Sequence, residues 1–415
     1  MAARRGVSKF QGQQQQQKWV GAPPPPPPPP LTNLKRLTPC QSSMSARLAG
    51  AGKLTEQERA LFGNRCPRGY KKLDLLGKGG CAVVWLGQNE ETGEKVAMKQ
   101  FPRGSGKGST AMLMASKVDL GSYRTEVAIG EHLFASGRFA GHPGLGHAAR
   151  FVGAVQEARD CWLLHEVGGR PLSKQLFELK GEFYNSERLY HVHAQPFYLA
   201  LKADVRLLQD LLRRLLQLLG LLAEAGIVHA DLKSENVLLE WGAAGGVERV
   251  QVIDFGSGFL SAQLTSLAQT TPEYMAPEAL RMLELKKAHA AEAQIAELQA
   301  AVRPWSLDMW SLGAIFLEIL TGFPLWLGLK GRTVSGRRSI QSTGVFAAPG
   351  REPAKILAKQ RAFLANLERS LKKYDCFGLD QHPAALDLLA RMLDLSPARR
   401  ISPADALRHP FLASC

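Results

Sequence analysis

The run from Asp204 to Ala225 carries leucine at a helical rhythm, and Gly226 closes it. It reads as one long amphipathic helix packed against a core. The chain then continues, after two apolar residues, as His229-Ala230-Asp231-Leu232-Lys233-Ser234-Glu235-Asn236. An acid, a lysine and an amide are thus gathered in a loop at the end of a helix. Asp231 is placed to act as a base and Asn236 as a metal ligand.

Three further segments give this loop a context. Leu75-Leu76-Gly77-Lys78-Gly79-Gly80-Cys81-Ala82-Val83-Val84 is a glycine-rich turn between two strand-like runs. Glycines let a backbone fold tightly over phosphates and present its N–H groups to them. Val96-Ala97-Met98-Lys99 places a lysine on an alternating strand, and Asp254-Phe255-Gly256 places a carboxylate at the end of the strand Arg249 to Ile253. A carboxylate there suits Mg²⁺ on phosphates. Singly, each has a plain alternative: a glycine hairpin, a solvated lysine, a surface turn. In this order they supply what phosphoryl transfer needs, namely held phosphates, neutralised charge and an aimed nucleophile.

With these four segments in place, the sequence resembles the eukaryotic protein-kinase family over roughly residues 70–412. The resemblance implies an α+β, bilobal kinase fold, with a small β-rich lobe (70–167) and a larger helical lobe (168–412). It implies ATP and Mg²⁺ as cofactors. It maps the glycine loop onto Gly77, Gly79 and Ala82, the phosphate-holding lysine onto Lys99, the catalytic base onto Asp231, and the magnesium ligands onto Asn236 and Asp254. Leu76, Val84, Ala97 and Leu238 would wall the adenine, with Glu166 to Gly168 as the hinge. His165 then falls at the gatekeeper position, unless a one-residue shift puts Leu164 there. The acid that pairs with Lys99 is Glu126, with Glu131 as the alternative. Gly130 stands where a bulky apolar residue packs in the family. Ala276-Pro277-Glu278, Asp308 to Gly313 and Arg400 match the closing motif of the activation segment, the anchoring helix and the arginine that pairs with the closing glutamate.

Lys233, two residues past Asp231, and Thr271 in Thr271-Pro272-Glu273-Tyr274-Met275-Ala276 resemble the serine/threonine type, so a protein substrate bearing Ser or Thr is expected. Ala230 departs from the pattern. Kinases switched by an activation-loop phosphate carry arginine there, a bidentate partner for the phosphate. Control without such a phosphate is the resulting expectation. Two other classes compete: a scaffold that binds ATP or a partner without turnover, and a small-molecule kinase. The first is disfavoured because Lys99, Asp231, Asn236 and Asp254 are all present, the second because the Glu278, Asp308 and Arg400 motifs are.

Outside this domain the chain is biased. Residues 1–65 hold a glutamine run, eight prolines at Pro23 to Pro30, and all eight Lys/Arg but no acid before Glu56, within a total formal charge of +15. Consecutive prolines form a stiff polyproline rod, a possible handle for a proline-recognising partner. The basic residues lack any aromatic rhythm and read as a solvated tail rather than a nucleic-acid grip. The six scattered cysteines form no zinc or disulfide pattern and suggest a reducing compartment, cytoplasmic or nuclear, although an acid-free N-terminus also resembles a transit peptide. Ser311 to Leu329 is apolar but is interrupted by Glu318, Gly322 and Pro324, so it reads as a buried helix ending near Thr321, with no transmembrane segment. Insertions are expected near 281–303, as one helix, and near 328–361, as a basic loop.

Overall fold

The computed structural model describes residue 54 and residues 56–78, 82–103, 120–184, 187–242, 245–261, 271–325, 331–335, 338–342, 345–348, 351–374, 378 and 382–413. All of them belong to one compact unit, Arg47–Cys415. The polyproline run, Gly79 and residues 262–270 of the activation segment lie outside the described residues.

A short helix, α1 (Glu56–Phe62), precedes a five-stranded antiparallel sheet of order β1-β2-β3-β5-β4. Its strands are β1 (Tyr70–Lys78), β2 (Val83–Asn89), β3 (Lys95–Pro102), β4 (Phe151–Gln156) and β5 (Asp160–Glu166). The β2–β3 turn is set by its own side chain: Asn89 accepts from the N–H groups of Glu91 and Thr92, and Gly93 takes φ 73°. Strand alternation divides the sheet into two faces. Val84 pairs with Lys99, and Lys99 with Leu163, so these share a face; Trp85, Met98 and Leu164 share the opposite one. Helix α2 (Gly121–Phe134) covers the Lys99 face, where Tyr123 meets Phe101 edge-on with centroids 5.6 Å apart.

The larger lobe is built on two apolar helices. These are preceded by β6 (Arg170–Pro171), α3 (Leu172–Leu176), a hairpin of β7 (Phe177–Tyr184) and β8 (Glu187–Ala194), and α4 (Pro196–Ala203). Helix α5 (Val205–Ala225) begins at Asp204, whose carboxylate accepts from the Arg206 N–H, and ends at Gly226 in the left-handed conformation. Strands β9 (Ile227–Val228), β10 (Val237–Trp241), β11 (Val247–Val252) and β12 (Phe259–Leu260) follow, and then α6 (Pro277–Lys287), α7 (Glu292–Ala300) and α8 (Trp305–Thr321). Helix α8 is buried from Ser306 to Thr321 and is closed by Gly322 at φ 65°. Among the described residues no helix is long and apolar enough to cross a membrane.

Four expectations need correction. The region after Gly169 is not simply helical. The β7–β8 hairpin joins a second hairpin, β13 (Gly331–Ser335) and β14 (Arg338–Ser342), in a four-stranded sheet, with β13 parallel to β8. Two hairpins far apart in sequence thus complete each other, which no local pattern announces. The 281–303 stretch is two helices rather than one, broken where His289 takes φ 49°. The 328–361 stretch is likewise not a plain loop: it contains β13, β14 and the start of a helix, Pro353–Leu364. The expected tail also ends earlier than residue 65, because α1 packs Phe62, with Leu54, against Val83.

Candidate active site

The loop after β9 is held from below by a buried carboxylate. Asp308 of α8 accepts from the His229 N–H at 2.7 Å and from the Ala230 N–H at 3.0 Å. Those bonds keep Ala230 at φ 63°, a left-handed conformation that costs an alanine about 1–2 kcal/mol. The Asp231 N–H donates to His229 Nδ1, which leaves Nε2 to carry the proton toward the Ile253 carbonyl at 3.1 Å.

Above this support sits a compact polar group. Lys233 Nζ donates to Asp231 Oδ2 at 2.6 Å and to Thr271 Oγ1 at 2.9 Å, and the Thr271 hydroxyl donates to Asp231 Oδ1 at 2.9 Å. Asn236 donates through Nδ2 to the Asp231 carbonyl at 2.9 Å, so its Oδ1 is the atom left for a cation.

Opposite, Lys99 bridges Glu126 and Asp254, donating to Asp254 Oδ1 at 2.7 Å and closely contacting Glu126 Oε1. Glu126 is buried, whereas Glu131 points to solvent, so the alternative partner falls away. Burial would lower the Lys99 pKa, but its two acidic partners outweigh it and keep the ammonium charged. Burial drives Glu126 up to about 7 against the pull of Lys99. Burial would also raise Asp254, but the Lys99 charge and hydrogen bond hold it down at about 2. Asp254 is therefore an anion across the ordinary pH range. It takes φ 67°, which turns the carboxylate from the strand end toward Lys99.

The expected adenine walls divide between the lobes. Val84 and Ala97 lie on the Lys99 face of the sheet, and His165 pairs with Ala97 there, while Leu164 faces the other way with Met98. Of the two candidates, His165 is thus the one on the Lys99 face. Burial, with the Lys99 charge, pulls its pKa to about 4, leaving it neutral. Gly168 and Leu238 meet: a Cβ on Gly168 would lie 2.5 Å from Leu238 Cδ1. Beside it, a Cβ on Gly169 would lie 2.3 Å from the Leu239 carbonyl oxygen. The Glu166 N–H donates to the Arg150 carbonyl and its side chain pairs with Arg249 at 2.5 Å, so only its carbonyl remains for a base. Gly77 lies at the end of β1 opposite Val84, and Ala82 is buried next to β2.

Sequence reasoning missed Arg249. Its guanidinium reaches Glu166, Glu240 and, at 3.0 Å, the Val167 carbonyl, pinning the hinge from behind. Nothing marks one strand arginine among many. It also missed the buried set in which Tyr274 donates to Glu318 at 2.7 Å. Distant matches that do meet include Arg400 and Glu278, a bidentate buried pair at 2.6 and 3.0 Å.

The donor set fits a hard divalent cation. Among the described residues no three His, Cys, Asp or Glu gather to hold a metal alone, so Asp254 and Asn236 would share it with oxygens from a ligand and water.

Comparison with known proteins agrees with this geometry. The family described as protein kinase domain matches residues 150–412. Mitogen-activated protein kinase HOG1 of Arthrobotrys oligospora is 30% identical over 215 residues, 51% of this chain and 53% of that protein. Mitogen-activated protein kinase sty1 of Schizosaccharomyces pombe is 29% identical over 217 residues, 51% of this chain and 54% of that protein. Mitogen-activated protein kinase 15 of Mus musculus is 27% identical over 354 residues, 81% of this chain and 52% of that protein. The chain spans about half the length of the curated relatives it matches. A family match over most of the chain, on a fold that brings its separated motifs into one cleft, leads to one conclusion: the chain belongs to the protein kinase domain family.

Proposed function

We propose that the chain is an ATP- and Mg²⁺-dependent protein serine/threonine kinase. The observation that carries this reading is the Asp231–Lys233–Thr271 group beside the Lys99–Glu126–Asp254 group, the two loops tied together by His229 and the Ile253 carbonyl at 3.1 Å. Bound Mg²⁺ would neutralise the phosphate charge and orient the γ-phosphoryl. Asp254 and the Asn236 amide oxygen would hold it, and Lys99, steadied by Glu126, would hold the α- and β-phosphates. The adenine would lie between Val84, Ala97, Leu76 and Leu238, with Glu166 and Gly168 supplying backbone contacts, and Gly77 and Ala82 would flank the phosphates; Gly79, the other glycine expected there, lies outside the described residues.

Asp231 orients the substrate hydroxyl and takes its proton as the oxygen–phosphorus bond forms and the bond to the departing ADP breaks. Lys233 stabilises the transferring group, and Thr271 fixes both side chains. Lys233, two residues past Asp231, and Thr271 bonded to both, as in the serine/threonine type, favour Ser or Thr.

Control without an activation-loop phosphate is part of the proposal. Its support is Ala230, which offers no guanidinium, and the Asp308 bonds that order the loop by themselves. Thr265 and Ser266, the candidate phosphosites, lie outside the described residues. A polyproline-binding partner for Pro23 to Pro30 remains a separate proposal. Phosphorylation of a degenerate peptide library with ATP and Mg²⁺ tests the function: labelled Ser or Thr peptides support it. A product labelled on tyrosine alone, or turnover undiminished in Asp254→Ala, would refute it.

A further inference from the structure

The face of the five-stranded sheet away from the cleft is not open to solvent. Residues 54–66 cross it as a strap. Leu54 and Phe62 pack on Val83, with Leu61, Leu75 and Trp85 around them. Beneath lies a buried polar network. Gln100, one residue from Lys99, is fully buried on this outer face. Its amide donates to the Phe62 carbonyl at 3.0 Å and to Asp160 at 2.9 Å, and its oxygen accepts from Lys72 at 3.0 Å and Trp85 at 2.9 Å. Asp160, also fully buried, receives Arg65 from the strap, with Nη2 at 3.1 Å. Lys72 in turn donates to the Gly63 carbonyl at 3.2 Å. Buried polar groups satisfied in this way fix one register of strap on sheet.

A second tie reaches the nucleotide side. Glu58 of α1 accepts from Lys78 at 3.1 and 3.2 Å. Lys78 is the last residue of β1 and stands between Gly77 and Gly79 of the glycine-rich segment. The strap therefore holds both strands that carry the phosphate-binding elements, at Gln100 beside Lys99 and at Lys78 beside the turn.

We infer that residues 54–66 are a positioning element for the nucleotide, and that Glu58 is a positioning residue acting through Lys78. The inference rests on the kinase reading of the cleft. A half-exposed ion pair contributes little to global stability, so its loss loosens the turn without unfolding the lobe. The effect falls on nucleotide affinity and leaves the chemical step alone.

The test uses the full chain with Glu58→Lys, Lys78→Glu and the double exchange. Equilibrium Kd for Mg·ATP is measured alongside KM for ATP and kcat on a peptide. Each single reversal should weaken Kd and KM together by about threefold, within the range of one surface ion pair, with kcat unchanged. The double exchange should restore both. Single variants that bind like the parent would overturn the inference while leaving the kinase reading intact. So would a double variant as weak as Lys78→Glu, which would make Lys78 a direct phosphate contact. A parent chain that binds no Mg·ATP would overturn both.

Discussion

Phe151 lays its ring over Gly130: a Cβ on that glycine would lie 2.5 Å from the ring carbon Cγ. The glycine in the middle of α2 is thus a space requirement, not a weak point. Phe151 also meets His165 edge-on at 5.6 Å, and both line a small cavity with Glu126 and Phe255. Bulk has been moved from helix to strand. Gly130 lies one turn after Glu126, on the same helix face.

An added side chain at Gly130 therefore pushes the helix off β4 and draws Glu126 from Lys99. Alanine would ordinarily stabilise a helix interior by about 1 kcal/mol relative to glycine. Gly130→Leu should instead lower thermal stability by roughly 1–3 kcal/mol, the range for overpacking, and reduce kcat/KM. Adding Phe151→Ala should recover much of both. If the single variant melts and turns over as the parent does, the packing argument is wrong.

Asp231→Asn keeps the side-chain shape but removes the proton acceptor. Its kcat should fall by about 10²–10⁴, the usual contribution of a general base, with Mg·ATP affinity within twofold. Lys233→Ala should lower kcat with KM for ATP little changed, because Lys233 faces Asp231 and Thr271 and not Lys99. Steady-state kinetics with a direct binding measurement distinguishes this from a folding defect.

The Arg400–Glu278 pair is almost wholly buried, and Arg400 also donates to the Ser306 carbonyl at 2.7 Å and the Asp394 carbonyl at 2.9 Å. Truncating one member strands a buried charge, so Arg400→Ala should cost about 3–5 kcal/mol. Arg400→Lys should recover only part of this, since a single ammonium cannot reproduce the bidentate fork. Denaturant unfolding gives the comparison.

Glu318 provides a pH signature. Burial, reinforced by the Glu235 charge, raises its carboxyl from the usual 4.5 to about 8. The folded chain thus holds a proton that the unfolded chain releases near 4.5. This contribution to stability is complete below that pH and is lost as pH rises through about 8. Glu318→Gln should flatten the decline in melting temperature between those limits. An unchanged slope would mean that Glu318 is already ionised in the fold.

The expected site residues could be picked out in the sequence because each sits in a short motif, and the motifs follow the order found in the protein kinase domain family. Asp231, Asn236, Lys99 and Asp254 could each be named from a short motif. Glu126 could be told from Glu131 only by seeing which of two nearby acids faces inward, a matter of helix phase. Arg249, Gln100 and Asp160 could not be read at all. Each is an ordinary strand residue whose role depends on partners tens of residues away.

The sequence by itself determined the family, the two-lobed α+β class and the long helices, whose signals are local: short motifs, leucine rhythm, Asp204 and Gly226 as ends. Tertiary structure decided the rest. It showed that the loop holding Asp231 stands on Asp308 and that Gly130 makes room for Phe151. It paired two distant hairpins in one sheet and turned the end of an apparent tail into a strap. These are long-range contacts, set by which faces bury together and which buried polar groups must find partners, and a linear pattern carries no record of that choice.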